Sequence, residues 1–314
     1  MDVLLAIVVL AGGMKLLMLA ADRFVSGASS IAVRLQISPL VIGAVVLGFG
    51  TSAPELVVST VAAGQGQMDL GLGNIVGSNI ANLTLVLGIG ALIRPIDIPE
   101  GTKRRAGVCV AAMLGFALLV QVQGSWWHGP VLVVGVLVAV YLMFVIDTDD
   151  LAPPALSPVG STAAAWCWTV GSLLVTLVTA QAVVWSATEL ADQFGLQGGF
   201  VGLSIVAFGT SLPELVTVVA AARRNEASLI LGSLLGSNVF NSLAVGAGLF
   251  LAGDGVLGDP WLRRWGPVAM VGAVMVVMAF LLPIRSRRIE RAEGAALLAG
   301  YLGLMVVFAI QSTT

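Results

Sequence analysis

The chain has 314 residues, 58% of them hydrophobic and 10% charged, with a mean hydropathy of +1.02; soluble proteins carry about 25% charged residues, so a soluble globular domain is excluded. The formal charge of −2 offers no basic surface for nucleic acid, and two cysteines with one histidine make no zinc pattern. Most apolar runs exceed the roughly 18 residues that mark a spanning helix, which leaves an all-α polytopic membrane protein.

Ten runs, separated by charged or Gly/Pro-rich breaks, predict spans at 3–25, 38–62, 70–93, 106–122, 129–146, 163–188, 199–221, 228–252, 266–284 and 293–311. The first lacks the basic flank of a signal peptide, and Lys15 within it can snorkel along the helix. The second carries Pro54 and Glu55 in mid-span, and the seventh carries Pro213 and Glu214. Cys109 and Cys167 lie in apolar runs and read as inert packing. His128 sits beside Trp126 and Trp127 before the fifth span, where an interfacial aromatic belt explains it. Asp22, Asp69 and Glu189, near span ends, read as solvated caps. Between the fifth and sixth spans, Asp147–Asp150 and Pro153, Pro154 and Pro158 read as a linker. It is too short to supply the six or more preorganised oxygens of a regulatory calcium site.

Twelve of the 15 basic residues fall on the side of the loops after odd-numbered spans: Arg23, Arg34, Arg94, Lys103 to Arg105, Arg223, Arg224, Arg285, Arg287, Arg288 and Arg291. Only Arg263 and Arg264 fall opposite. The positive-inside rule makes the odd loops and the central linker cytoplasmic and puts both termini outside. The arginines from Arg285 to Arg291 fit anchoring to anionic lipid.

The sequence GAVVLGFGTSAPELVVST at 43–60 recurs as GLSIVAFGTSLPELVTVV at 202–219, and LGNIVGSNIAN at 72–82 recurs as LGSLLGSNVFN at 231–241. One offset of 159 residues relates Glu55 to Glu214, Ser78 to Ser237 and Asn82 to Asn241. The chain is therefore two homologous halves, 1–146 and 161–314, joined by 147–160, with the repeated motifs at 43–90 and 202–249. Five spans per half is an odd number, so the halves enter the membrane from opposite sides. Such inverted repeats place a transport site near the midplane.

Proline removes a helical hydrogen bond, so the spans carrying Pro54 and Pro213 are expected to break and offer backbone carbonyls, those of Gly48 and Ala207 among them. Broken backbone at membrane depth is tolerated only inside protein or along a watery cavity. Glu55 and Glu214 are the only acidic residues at mid-span, where a charge costs at least about 2.5 kcal/mol. Thr51 and Ser52 share a helical face with Glu55, and Thr210 and Ser211 share one with Glu214. Ser78 with Asn82, and Ser237 with Asn241, each four apart, present hydroxyl and amide oxygens from the third and eighth spans. All these donors are oxygens, a hard set that selects calcium, magnesium or manganese among divalents and sodium among monovalents rather than zinc or copper, and a cage assembled from four helices with soft carbonyls favours calcium over magnesium. Two carboxylates balance one calcium, and a site emptied of it must attract sodium or protons.

Two copies of G-T-S-x-P-E and G-S-N-x-x-N, one per half, resemble the repeats of the sodium/calcium exchanger branch of the calcium/cation antiporter superfamily. The resemblance implies two inverted five-helix repeats with broken helices 2, 3, 7 and 8, and calcium and sodium binding alternately at one centre. It further implies that the first and sixth helices slide across a rigid core to switch access. By position it assigns carboxylate ligands to Glu55 and Glu214 and hydroxyl ligands to Thr51, Ser52, Ser78, Thr210, Ser211 and Ser237. Carbonyl ligands fall on Gly48 and Ala207, and amides on Asn82 and Asn241. Asn241 stands where some relatives carry aspartate, which removes a charge and argues against potassium dependence. Proton-coupled relatives place a further glutamate in the third span, and none lies between Leu70 and Gly90, which favours sodium. The expected protein is a calcium/sodium antiporter of an inner or plasma membrane, not an enzyme. It would need no cofactor and no protein partner beyond its ions and membrane lipid. A calcium/proton antiporter is the alternative; a channel or an intramembrane enzyme fits the repeats and the single histidine less well.

Overall fold

The computed structural model describes residues 3–122, 127–145, 161–193, 209–281 and 288–311. Helix α1 (Val3–Leu35) is followed by α2 (Pro39–Thr51), α3 (Ala53–Gly64) and α4 (Met68–Ile93). A short strand β1 (Ile96–Asp97) leads to α5 (Thr102–Val120) and α6 (His128–Val145). The second half contributes α7 (Thr162–Gln193), α8 (Leu212–Arg223) and α9 (Ala227–Ala252). It ends with α10 (Pro260–Leu281), β2 (Arg288–Ile289) and α11 (Arg291–Gln311). Among the described residues six helices are long and apolar enough to cross a membrane, or seven if α2 and α3 count as one bent span.

Local sequence accounts for the boundaries. Helix α1 runs ten residues past its expected end because Asp22, Arg23 and Arg34 interrupt the hydropathy without interrupting the helix. It stops at Gln36, whose φ of 52° is the left-handed conformation that closes helices. Ser38 then caps α2 by accepting the Leu40 N–H at 3.3 Å, with Pro39 in the first turn, where its missing N–H costs nothing. The turns after α3 and α8 both pivot on a left-handed residue, Gly66 (φ 77°) and Asn225 (φ 62°), equivalent positions at the 159-residue offset. Asparagine is one of the few side chains that tolerates this.

Spans two, three and eight differ in kind. Between α2 and α3 the axis bends by 43° at Ser52 (φ −85°, ψ 10°), directly before Ala53 and Pro54. The breaks expected in spans three and eight are absent: α4 and α9 run unbroken. Each instead carries a π-helical segment, Asn82–Val86 and Asn241–Val245, again 159 residues apart. Neither span contains a proline, and each absorbs an extra residue as a π-bulge without breaking; the second span carries one as well, Gly43–Gly48, ahead of its bend. The break expected before Pro213 falls at Ser211 (φ −86°, ψ 2°), from which α8 starts just as α3 starts from Ser52; the part of that span before Gly209 lies outside the described residues.

Helices α1 and α7, about 50 Å long at 1.5 Å per residue, pack along each other; Gly27 faces Thr169, and the Arg23 guanidinium lies 5.7 Å from the Trp168 ring centroid. Helix α1 also touches the α8–α9 turn, where Arg224 donates to Ser26 at 2.8 Å and Ser29 donates to Glu226 at 3.3 Å. Helix α2 lies backbone to backbone on α9. A Cβ at Gly48 would stand 2.7 Å from the Ser233 carbonyl oxygen, one at Gly43 would stand 2.9 Å from that of Leu229, and Gly236 abuts the backbone of Ala44. Strands β1 and β2 form a two-residue antiparallel ladder closed by Arg288 on Asp97 at 2.8 Å, a small departure from an all-α chain.

Polarity is arranged inside out. Thr51, Ser52, Glu55, Ser78, Asn82, Glu214, Ser237 and Asn241 are all fully buried, whereas Leu118 and Val178 are 70% and 71% exposed. Water would penalise such a periphery; lipid does not. His128, expected in a loop, is the first residue of α6 and is buried, with its ring 4.5 Å from Trp127 and 4.8 Å from Phe250. Trp126 and the acidic linker lie outside the described residues.

Candidate functional site

The two carboxylates occupy matching places. Glu55 lies in the first turn of α3 and Glu214 in the first turn of α8. Unsatisfied N–H groups at a helix N-terminus give it a partial positive charge that favours a carboxylate. Proline starts each helix without disturbing it, because the first turn makes no use of the missing N–H. The same residue that breaks the span thus creates the helix end that holds the charge.

Side chains from both halves meet on these carboxylates. Ser52 donates to Glu214 Oε1 at 2.8 Å, so a first-half hydroxyl sits on the second-half carboxylate. Ser237, on α9, lies 3.4 Å from the same oxygen, and Ser78, on α4, makes the equivalent 3.4 Å contact with Glu55 Oε1. Ser211 reaches across to Ser78 at 3.5 Å. Thr210 stands near Glu55, with its hydroxyl proton given to Asn74 Oδ1 at 3.2 Å, and Thr51 stands near Glu214. Thr51 also donates to the Leu47 carbonyl at 2.9 Å.

The Gly48 carbonyl is present at the site but engaged: it accepts the Ser52 N–H at 3.3 Å and the Ser237 hydroxyl at 2.9 Å. Its counterpart Ala207 lies outside the described residues. Asn82 and Asn241 each open a π-segment. Asn82 donates to Asn238 Oδ1 at 3.2 Å, and neither amide atom of Asn241 has a hydrogen-bond partner. No hydrogen bond joins either asparagine directly to a carboxylate.

Several buried oxygens are left over. Glu55 Oε2, Glu214 Oε2, Asn82 Oδ1 and Asn241 Oδ1 are buried without a hydrogen-bond partner among the described residues. Buried polar atoms are hydrogen-bonded in the great majority of cases, and each exception calls for an explanation. A set of anionic and neutral acceptors lacking donors is what a cation would satisfy, and among the described residues no histidine or cysteine is bonded to it.

Sequence reasoning missed Asn74, Ser59, Asn79, Asn238 and Ser242. Asn74 donates to Ser59 at 3.0 Å and accepts from Thr210 at 3.2 Å, while Asn79 donates to Ser242 at 3.4 Å. A signal for Asn74 was there: it precedes Ser78 and Asn82 by four and eight residues, on one helical face.

A buried, all-oxygen polar centre built by two halves of a helical membrane fold is the architecture of a membrane cation transporter. The family model described as sodium/calcium exchanger protein matches residues 5–146 and 164–310, and the chain belongs to that family. It is 37% identical to the putative antiporter CaxA of Alkalimonas amylolytica, over 93% of this chain and 94% of that one. It is 32% identical to the inner membrane protein YrbG of Escherichia coli, over 95% of both. The sodium/calcium exchanger MaX1 of Methanosarcina acetivorans is 28% identical over 94% of this chain and 96% of its own. Among solved structures, the sodium-calcium exchanger NCX_Mj, soaked with Na+ and Sr2+, superposes with a TM-score of 0.85 at 28% identity, covering 97% of this chain and 99% of that one.

Proposed function

We propose that the protein exchanges calcium for sodium by alternating access at the centre formed by Glu55, Glu214 and their ring of hydroxyls and amides. The observation that carries this reading is the pair of buried carboxylates, one from each half, each with an oxygen that has no hydrogen-bond partner among the described residues. Together they neutralise one calcium, and an emptied centre is two buried negative charges whose desolvation cost is large unless other cations enter. Sodium ions meet that need, which makes the two ions compete and couples their fluxes. The lack of a third-span glutamate between Leu70 and Gly90 supports sodium over protons as the counter-ion. The cations are cargo; Thr51, Ser52, Ser78, Asn82, Thr210, Ser211, Ser237 and Asn241, with the Gly48 and Ala207 carbonyls, complete the coordination.

In this reading the chain has ten spans arranged as inverted halves, 1–146 and 161–314, around a cytoplasmic linker at 147–160. The repeated helix bounds and π-segments support the two halves. The β1–β2 ladder supports the span count, since it joins the segments after spans three and nine, which ten alternating spans place on one face. Helices α1 and α7, the longest, are the elements that slide.

Equilibrium calcium binding to the purified protein tests the shared centre. The apparent Kd for calcium is expected to rise with sodium more steeply than the first power of its concentration, and a Kd indifferent to sodium would contradict the reading. For topology, Asn225→Cys and Gln65→Cys are introduced into a Cys167→Ser background and labelled with an impermeant maleimide. Asn225→Cys is expected to react from the cytoplasmic side and Gln65→Cys from the outside; the opposite pattern would invert the orientation.

A further inference from the structure

The two halves are not equal at the centre, and the difference is Asn74. This residue is buried on α4, one helical turn before Ser78. Its Oδ1 accepts the hydroxyl of Thr210 at 3.2 Å, and its Nδ2 donates to Ser59 Oγ at 3.0 Å and lies 3.4 Å from the carbonyl oxygen of Glu55 itself. Ser59 in turn donates to the Gly71 carbonyl at 3.3 Å. The donors all point one way, from Thr210 through Asn74 and Ser59 to Gly71, and such aligned chains strengthen one another in a low-dielectric interior. A second-half hydroxyl is thereby tied to the first-half helices α3 and α4.

At the 159-residue offset, Asn74 becomes Ser233 and Ser59 becomes Val218. The Ser233 hydroxyl is buried without a hydrogen-bond partner, and no such chain can form through Val218. Thr51, the counterpart of Thr210, is oriented instead by the Leu47 carbonyl of its own helix. Thr210 is therefore tied across the interface between halves through Asn74, a link that Ser233 does not offer Thr51.

We propose that Asn74 is a positioning residue. It fixes the Thr210 hydroxyl near Glu55 from across the interface, and so sets the calcium affinity of the Glu55 side of the centre without touching the ion. A preorganised oxygen binds more tightly because its orientation is fixed before the ion arrives. The inference rests on the central-site reading above, but not on which ion drives exchange, because it is read from equilibrium binding with no gradient present.

The test compares the unmutated protein with Asn74→Ser, which installs the second-half residue, with Ser59→Ala, which cuts the chain one link further out, and with the double variant. Asn74→Ser is expected to raise the calcium Kd about tenfold and Ser59→Ala about threefold, the range for loss of buried hydrogen bonds. The double variant is expected to match Asn74→Ser alone, since the chain is already cut. Ser59→Thr, which keeps a hydroxyl, is expected to restore the original Kd. In uptake assays KM should rise with the maximal rate retained. A purely structural role would lower thermal stability without this non-additivity or this split between KM and rate. A Kd for Asn74→Ser within twofold of the unmutated protein, or effects of the two single variants that multiply, would overturn the proposal. Absence of any calcium binding by the unmutated protein would instead overturn the central-site reading beneath it.

Discussion

Glu55→Gln and Glu214→Gln are each expected to lower calcium affinity by at least about 100-fold and to abolish calcium transport, while the protein stays folded. Glutamine keeps the size of the side chain and its contact with Ser78 or Ser52, so packing is preserved. What it removes is one of the two negative charges that face the ion. Two unit charges 4 Å apart interact by about 4 kcal/mol at the effective dielectric near 20 that suits proteins. Even after the ion's desolvation takes its share, a loss of about 3 kcal/mol, or a factor above 100, remains. The stability change should have the opposite sign. A neutral amide at membrane depth costs less than a carboxylate, and the two buried like charges no longer coexist. Thermal unfolding in detergent without calcium is therefore expected to shift up or stay level in both variants, and the stabilisation by added calcium should vanish. Calcium binding by either variant at the unmutated affinity would remove its carboxylate from the centre.

Gly236→Val should produce the largest loss of stability. Helices α2 and α9 meet with no side chain between them at this point, and a Cβ on Gly236 would lie within the backbone of Ala44. Small residues permit such approaches between membrane helices. Overfilled interiors usually cost 1–3 kcal/mol; here the obstacle is backbone that cannot rotate away, so about 3 kcal/mol or more is expected. The displacement would also move Gly48 and Ser237, which share that interface, so calcium affinity should fall with stability. Gly12→Ala is the matched control, because nothing lies within 4 Å of its added Cβ. Equal unfolding temperatures for Gly236→Val and Gly12→Ala would mean that the two helices are not in this contact.

The centre was legible in the sequence because a charge inside an apolar run is expensive and two of them at one repeat offset leave little room for coincidence. Glu55, Glu214 and the neighbouring hydroxyls follow from that argument, and the structure brings Ser52, Ser78 and Ser237 onto the two carboxylates. Helix kinks were legible only where proline announced them. The π-segments at Asn82 and Asn241 were not, since a π-bulge stores one extra residue without any breaker residue. The extension of α1 to Leu35 was hidden by Asp22, Arg23 and Arg34: hydropathy measures what lipid accepts, not where helical hydrogen bonds end. Asn74 could be placed by its spacing on the face of Ser78 and Asn82, but its role could not: that depends on the bond from Thr210 across the two halves, and pairings between distant segments are not written in local spacing. The burial of His128 was not legible, because one of its aromatic neighbours, Phe250, lies more than a hundred residues away.

Sodium-driven calcium movement is the central claim, and radioactive calcium uptake into proteoliposomes of the purified protein measures it. Vesicles are loaded with sodium and diluted into sodium-free medium at controlled membrane potential, alongside vesicles carrying an outward proton gradient. Uptake driven by the sodium gradient, and lost in Glu55→Gln, is the predicted result. Uptake driven by the proton gradient alone would contradict the sodium coupling and make Glu55 and Glu214 carriers of protons instead.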